Sequence, residues 1–130
     1  MRATNIGCVS EPEPESARPE SPGPEDVKII TLARAARARV AAAEGAAVRD
    51  ETGRTYAAAA VALPSLQLSA LQLAVAMAVS SGAASLEAAA LVSDGDEANP
   101  ADLAAVREIG PDAVVFRAAP DGTVLAILRP

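Results

Sequence analysis

The chain has 130 residues, 51% of them hydrophobic and 22% charged, with a formal net charge of -6, which fits one folded domain with a real core. The acidic balance and the 2% aromatic content exclude a nucleic-acid binder, which needs a basic face for phosphates and rings for base stacking. The single cysteine excludes an internal disulfide and suits a reducing cytoplasm.

Residues 1–26 read as a disordered tail. Glu11 to Glu15 alternate acid and proline, and Pro19, Pro22, Gly23 and Pro24 continue the pattern. Such a segment buries too little apolar surface to offset its ordering entropy. A docking or spacing arm is one reading; a solvated leader without a role is preferred. Charged and proline-rich residues follow too early for a secretory signal, and Ile6-Gly7-Cys8 echoes a lipobox without an apolar segment before it.

The folded domain is expected over 27–130. Ile29, Ile30, Ala33, Ala36, Val40 and Ala43 recur at helical spacing. Glu25 and Asp26 sit where a helix N-terminus favours negative charge, and Gly45 is a candidate C-cap. Lys28, Arg34, Arg37 and Arg39 read as a solvated helix face rather than a basic groove. Residues 46–50 and 55–61, joined by Glu51-Thr52-Gly53-Arg54, predict a β-hairpin.

From Tyr56 to Leu86 no residue is charged. A membrane span needs about 20 strongly apolar residues, and here Pro64, Ser65, Gln67, Ser69 and Gln72 interrupt the run. A helix buried in a soluble assembly, ended by Gly82, fits better, and no membrane partner is expected. A strand follows over 86–92. Asp94, Gly95, Asp96 and Glu97 form an acidic turn that lacks the ligand spacing of a calcium loop and reads as solvated. Asn99 and Pro100 open a helix to about Ile109. Residues 113–118 and 123–128, around Pro120-Asp121-Gly122, close the chain as a second hairpin.

The order is helix, strand, strand, helix, strand, helix, strand, strand, which predicts an α/β domain with a mixed sheet of about five strands. The apolar content is mostly Ala, with one Phe, one Tyr and no Trp. Small side chains contribute less transfer free energy each, so burial between subunits is expected to help.

This order resembles the cytidine deaminase fold, a three-layer α/β/α arrangement. Residues 33–39 with Gly45-Ala46-Ala47-Val48 look like that family's first helix and strand, and Glu51-Thr52-Gly53-Arg54 like its hairpin turn. Ser69-Ala70-Leu71-Gln72, with Ala78-Val79-Ser80-Ser81-Gly82, looks like its Cys-Ala-Glu-Arg helix, and Pro120-Asp121-Gly122 like its closing hairpin. The family's Pro-Tyr-Ser-x-Phe segment before the first strand is missing.

The resemblance implies a zinc ion held by His and Cys, activating a water, with a Glu carrying the proton. In this sequence the first ligand position becomes Ser69 and the Glu becomes Leu71. The second cysteine-bearing segment falls near residues 99–104, and the ribose-contacting Asn and Glu fall near Ala58 and Ala60. There is no histidine, and the only cysteine is Cys8, so no tetrahedral thiolate or imidazole zinc site is expected in the domain. Ser69 is expected to cap its helix instead, with Leu71 filling the space with hydrocarbon.

Ala58, Ala60, Ser69, Leu71, Asn99, Ala101 and Asp102 are therefore read as a vestigial pocket with no catalytic residue, no metal and no cofactor. The leading expectation is a non-catalytic deaminase-like protein acting as a homo-oligomer, dimer or tetramer as the resemblance implies, or through an unidentified protein partner. The alternative is a nucleoside or other small-molecule binding module. A metal-free enzyme is a third reading, with no activated nucleophile or partnered base in view.

Overall fold

In a computed structural model the described residues are 22–95 and 97–130. Most of the expected tail, with Cys8, and Asp96 of the acidic turn lie outside them.

Helix α1 spans Pro24–Arg39. It begins three residues before the expected Val27, because Pro24 at the first helical position has its φ preset and the Gly23 amide donates to Asp26 Oδ2 at 3.1 Å. The boundary drawn at residue 26 thus cuts through the first turn.

The strands are β1 Glu44–Asp50, β2 Thr55–Ala59, β3 Val61–Leu63, β4 Leu66–Leu68, β5 Leu86–Ser93, β6 Val114–Ala118 and β7 Val124–Leu128; the other helices are α2 Ala70–Ser80 and α3 Pro100–Ile109. Five strands form one sheet in the order β2-β1-β5-β6-β7. All its pairings are antiparallel except β5 with β6. The sheet is mixed, as the order of elements predicted. The short hairpin β3–β4 stands apart. The sequence does not announce it, because an apolar run broken once by Pro64 carries no period that separates strand from helix.

The sheet separates two apolar layers. Ile29, Ile30 and Ala33 of α1 pack with Ala47, Ala88, Ala90, Val92, Phe116 and Ala118 on one face. On the other, Leu71, Ala74, Val75 and Ala78 of α2 and Val106 of α3 pack with Ala46, Val48, Ala89, Leu91 and Val115. The alternation along β1 and β5 follows from the two-residue period of a strand. The alanines let the helices lie close to the sheet.

Gly45 shows how close. It is not the C-cap of α1 but a residue of β1. A Cβ there would collide with the Ala33 carbonyl oxygen and come within 2.8 Å of Arg37 Cβ, so only glycine lets helix and strand meet. The turn out of α1 is made instead by Ala41 at φ 52. The Ala41 and Ala42 amides donate to the Ala38 and Arg37 carbonyls at 3.3 and 3.0 Å. This is a Schellman cap with alanine at the left-handed position that glycine prefers. Helix α2 ends the same way with Gly82, as the sequence predicted: the Gly82 and Ala83 amides donate to Val79 and Ala78 at 3.0 and 2.9 Å.

The arginines of α1 do more than decorate a wet face. Arg34 Nε donates to the Pro120 carbonyl at 3.0 Å, and Arg37 Nε to the Ala43 carbonyl at 3.1 Å. They clip the last hairpin and the entry to β1 onto the helix. From β1, Arg49 reaches Asp26 at 3.1 Å and Glu87 at 3.0 Å, joining the first turn of α1 to β5. Among the described residues no helix is long and apolar enough to cross a membrane.

Candidate functional site

The strongest polar cluster joining two helices lies where α2 and α3 begin. Ser-Ala-Leu-Gln at 69–72 is a capping box. Ser69 Oγ accepts from the Gln72 amide at 3.1 Å, and Gln72 Oε1 accepts from the Ser69 amide at 3.1 Å. Two of the amides that a helix start leaves unpaired are thereby satisfied. Asn99 caps α3 in the expected way, accepting from the Ala101 amide at 2.8 Å, and Pro100 takes the first helical position.

The Ser69 hydroxyl has one proton to give, and it goes to Asp102 Oδ1 at 2.8 Å. Asp102 lies in the first turn of α3 and is 2% exposed. A carboxylate there meets the positive end of the helix dipole. The bond runs 33 residues in sequence and ties the two helix starts together.

Of the residues read as a pocket, Ser69 and Asp102 touch. Leu71 and Ala58 are buried in the same apolar cluster, at 0% and 5% exposure. Ala60 is half-buried after β2, its amide on the Glu44 carbonyl at 3.3 Å. Asn99 and Ala101 are both exposed at the start of α3. Two crevices of about 270 and 290 Å³ open instead beside Arg117, walled by Pro120 and Leu125 or by Leu103 and Leu128, and none of the pocket residues lines either. The Asp102 bond has no counterpart in the sequence reading. The capping-box spacing of Ser69 and Gln72 is legible, but a contact between two distant helix starts has no local pattern.

A second buried carboxylate holds the first hairpin. Asp50 Oδ1 accepts from the Thr52 amide, the Thr52 hydroxyl and the Arg54 amide at 2.9, 2.7 and 3.0 Å, and Oδ2 accepts from the Tyr56 hydroxyl at 3.0 Å. Burial pushes the Asp50 carboxyl up, but these four donors outweigh it and leave it below the ordinary carboxylate value. Burial, and then the bond to Asp50, pushes the Tyr56 phenol up. Glu51 accepts from the Ala84 and Ser85 amides at 3.2 Å, and main-chain donors hold its carboxyl down. With three donors on Oδ1 and one on Oδ2, Asp50 anchors the turn of the hairpin.

Asp94 is exposed and 3.9 Å from Arg37 Nη2, and Glu97 is exposed. Among the described residues no group of three or more His, Cys, Asp or Glu is placed to hold a metal ion.

A family model of cytidine deaminase-like proteins matches residues 22–122. The chain belongs to the cytidine deaminase-like family. Solved structures similar to it include cytidine deaminase from Burkholderia pseudomallei, at 22% identity and a TM-score of 0.69 over 78% of this chain and 90% of that one. A point mutant of cytidine deaminase from Mycobacterium tuberculosis gives 24% identity and a TM-score of 0.58, over 68% and 81% of the two chains. Cytidine deaminase from Mycobacterium leprae gives 22% and 0.55, over 75% and 89%. At these identities the likeness establishes the three-layer fold. A search of the curated proteins finds no match.

The described residues of this deaminase-like chain do not fit the zinc ion that the family implies. The ligand position at the start of α2 carries a serine whose proton is committed to Asp102. The start of α3 offers Asn99, Ala101 and Asp102, and no described residue is a His or a Cys. One buried carboxylate and one hydroxyl do not make the nitrogen and sulfur donor set that holds zinc tetrahedrally.

Proposed function

We propose that this protein is a non-catalytic member of the cytidine deaminase-like family that acts by self-assembly. The observation that carries the reading is the Ser69–Asp102 bond with Leu71 buried beside it. The two helix starts are closed on each other by a hydrogen bond and hydrocarbon, without imidazole or thiolate. No group in this cluster is arranged to activate a water.

Self-assembly is supported by the outward side of α2. Ala76, Met77, Val79 and Ser80 lie there, and Gln72 and Leu73 are half-exposed. Met77 and Val79 are 37% and 50% exposed. A helix's solvent face normally carries charge; this one carries none. In the β3–β4 hairpin Leu63 and Leu66 are also exposed, at 52% and 49%. An uncharged apolar surface of this kind marks an interaction site. A second copy is the simplest partner, because it presents the same surface without a charge to desolvate.

Light scattering on the full chain after size exclusion tests this. The expected result is a dimer or tetramer at micromolar concentration; a monomer throughout that range contradicts it.

A further inference from the structure

Among the described residues the sheet ends at β2 and β7, and the two edge strands differ. Along β7 the register with β6 shifts: Ala118 faces Val124 while Arg117 faces Ala126, leaving Leu125 as an extra residue. A bulge of this kind twists an edge away from further pairing. β2 has no such protection. Its register with β1 runs unbroken from Gly45 with Ala59 to Arg49 with Thr55. It contains no proline and no charge, and neither does the chain as far as Leu63. Lysine, proline and bulges are the usual ways of blocking an edge, and β2 uses none.

We propose that β2 is a docking edge for β2 of a second copy, paired antiparallel about a two-fold axis at Ala57, so that one sheet continues through the dimer. This rests on the self-assembly reading and adds a contact separate from the α2 surface. The strand is self-complementary in this register. Thr55 faces the partner's Ala59, Tyr56 faces the partner's Ala58, and Ala57 meets its own copy. Each larger side chain is set against an alanine, as cross-strand packing favours. Arg54 falls opposite the partner's Ala60, and the two copies of Arg54 lie at opposite ends of the seam. Thr55, Ala57 and Ala59 project to the α1 side of the sheet, and Tyr56 and Ala58 to the α2 side, so both faces continue across the seam.

The test is register-specific. In the full chain with Cys8→Ser, Ala57→Cys puts two thiols on the axis. Neighbouring antiparallel residues have Cα atoms about 4.5–5.5 Å apart, within the span a disulfide needs. We expect a disulfide-linked dimer on mild oxidation, and none from Ala59→Cys alone. Thr55→Lys with Ala59→Lys sets lysines against each other and is expected to weaken the edge dimer at least tenfold. Thr55→Lys with Ala59→Glu restores it, which a fold defect would not allow. If assembly survives the double lysine variant and Ala57→Cys does not link, the β2 edge is wrong while self-assembly stands. If the unmodified chain is a monomer throughout, self-assembly fails, and the edge contact with it.

Discussion

Ser69 and Asp102 hold the starts of α2 and α3 together through one hydroxyl–carboxylate bond of 2.8 Å. The same Ser69 oxygen accepts the Gln72 amide, so one side chain caps a helix and joins it to another.

Ser69→Ala removes both functions. Loss of an N-cap costs about 0.5–2 kcal/mol, and leaving a buried acceptor without its donor costs about 1–3 kcal/mol. Urea unfolding is expected to show a loss of about 2–4 kcal/mol. A loss below about 0.5 kcal/mol, the low end for a cap alone, would mean that the bond has little weight. In a double-mutant cycle Ser69→Ala and Asp102→Ala should be non-additive, because each removes the same bond.

Ala41 and Gly45 give opposite expectations. Ala41 holds a left-handed conformation at φ 52, which costs an L-residue with a Cβ about 1 kcal/mol or more. Ala41→Gly should raise stability by about that amount. Gly45→Ala drives a methyl group into the backbone of α1 and should lower stability by about 1–3 kcal/mol or prevent folding. Thermal midpoints of the two variants, read side by side, check the pair.

Asp50 predicts an acid-sensitive hairpin. Its folded carboxyl lies below the ordinary value, so the stability it contributes is present above the unfolded carboxylate pKa and is lost as pH falls through the lower, folded one. Tyr56 acts at the other end of the scale. Its phenol is raised, so its contribution is present below the ordinary tyrosine pKa and is lost as pH rises through the folded value. Unfolding midpoints across pH should show a flatter acid limb for Asp50→Asn and a flatter alkaline limb for Tyr56→Phe. Unchanged limbs would mean that these bonds do not persist in solution.

The outward side of α2 predicts a charge-sensitive assembly. Met77→Lys with Val79→Lys places two charges on a surface that has none and should shift the chain towards monomer in light scattering, with its circular dichroism preserved. An unchanged molar mass would remove α2 from the interface.

Much of the fold is legible in the sequence because its markers are local. Asn99 before Pro100, Gly82 after an apolar run, and Pro120-Asp121-Gly122 between two short apolar stretches each announce one element boundary. The β3–β4 hairpin is not, because Leu63-Pro64-Ser65-Leu66 reads equally as the entry to a helix. Gly45 misleads for a physical reason: a glycine shortly after a helix looks like its cap, and only the packing distance shows that it serves the strand beneath. At the candidate site the cap at Ser69 can be read from its spacing to Gln72. The partner of its hydroxyl cannot, since Asp102 arrives through the fold of the sheet. The arginines clipped to main-chain carbonyls are hidden in the same way, for a charge at helical spacing looks solvated whichever atom it reaches.

The reading as a non-catalytic deaminase-like protein turns on whether the starts of α2 and α3 can hold a metal ion and turn over a pyrimidine nucleoside. The direct measurement incubates the purified full chain with zinc, dialyses it against chelator, and determines bound zinc by elemental analysis alongside cytidine turnover. We expect zinc well below one ion per chain and no conversion above the protein-free control. One retained zinc per chain together with release of uridine would contradict it.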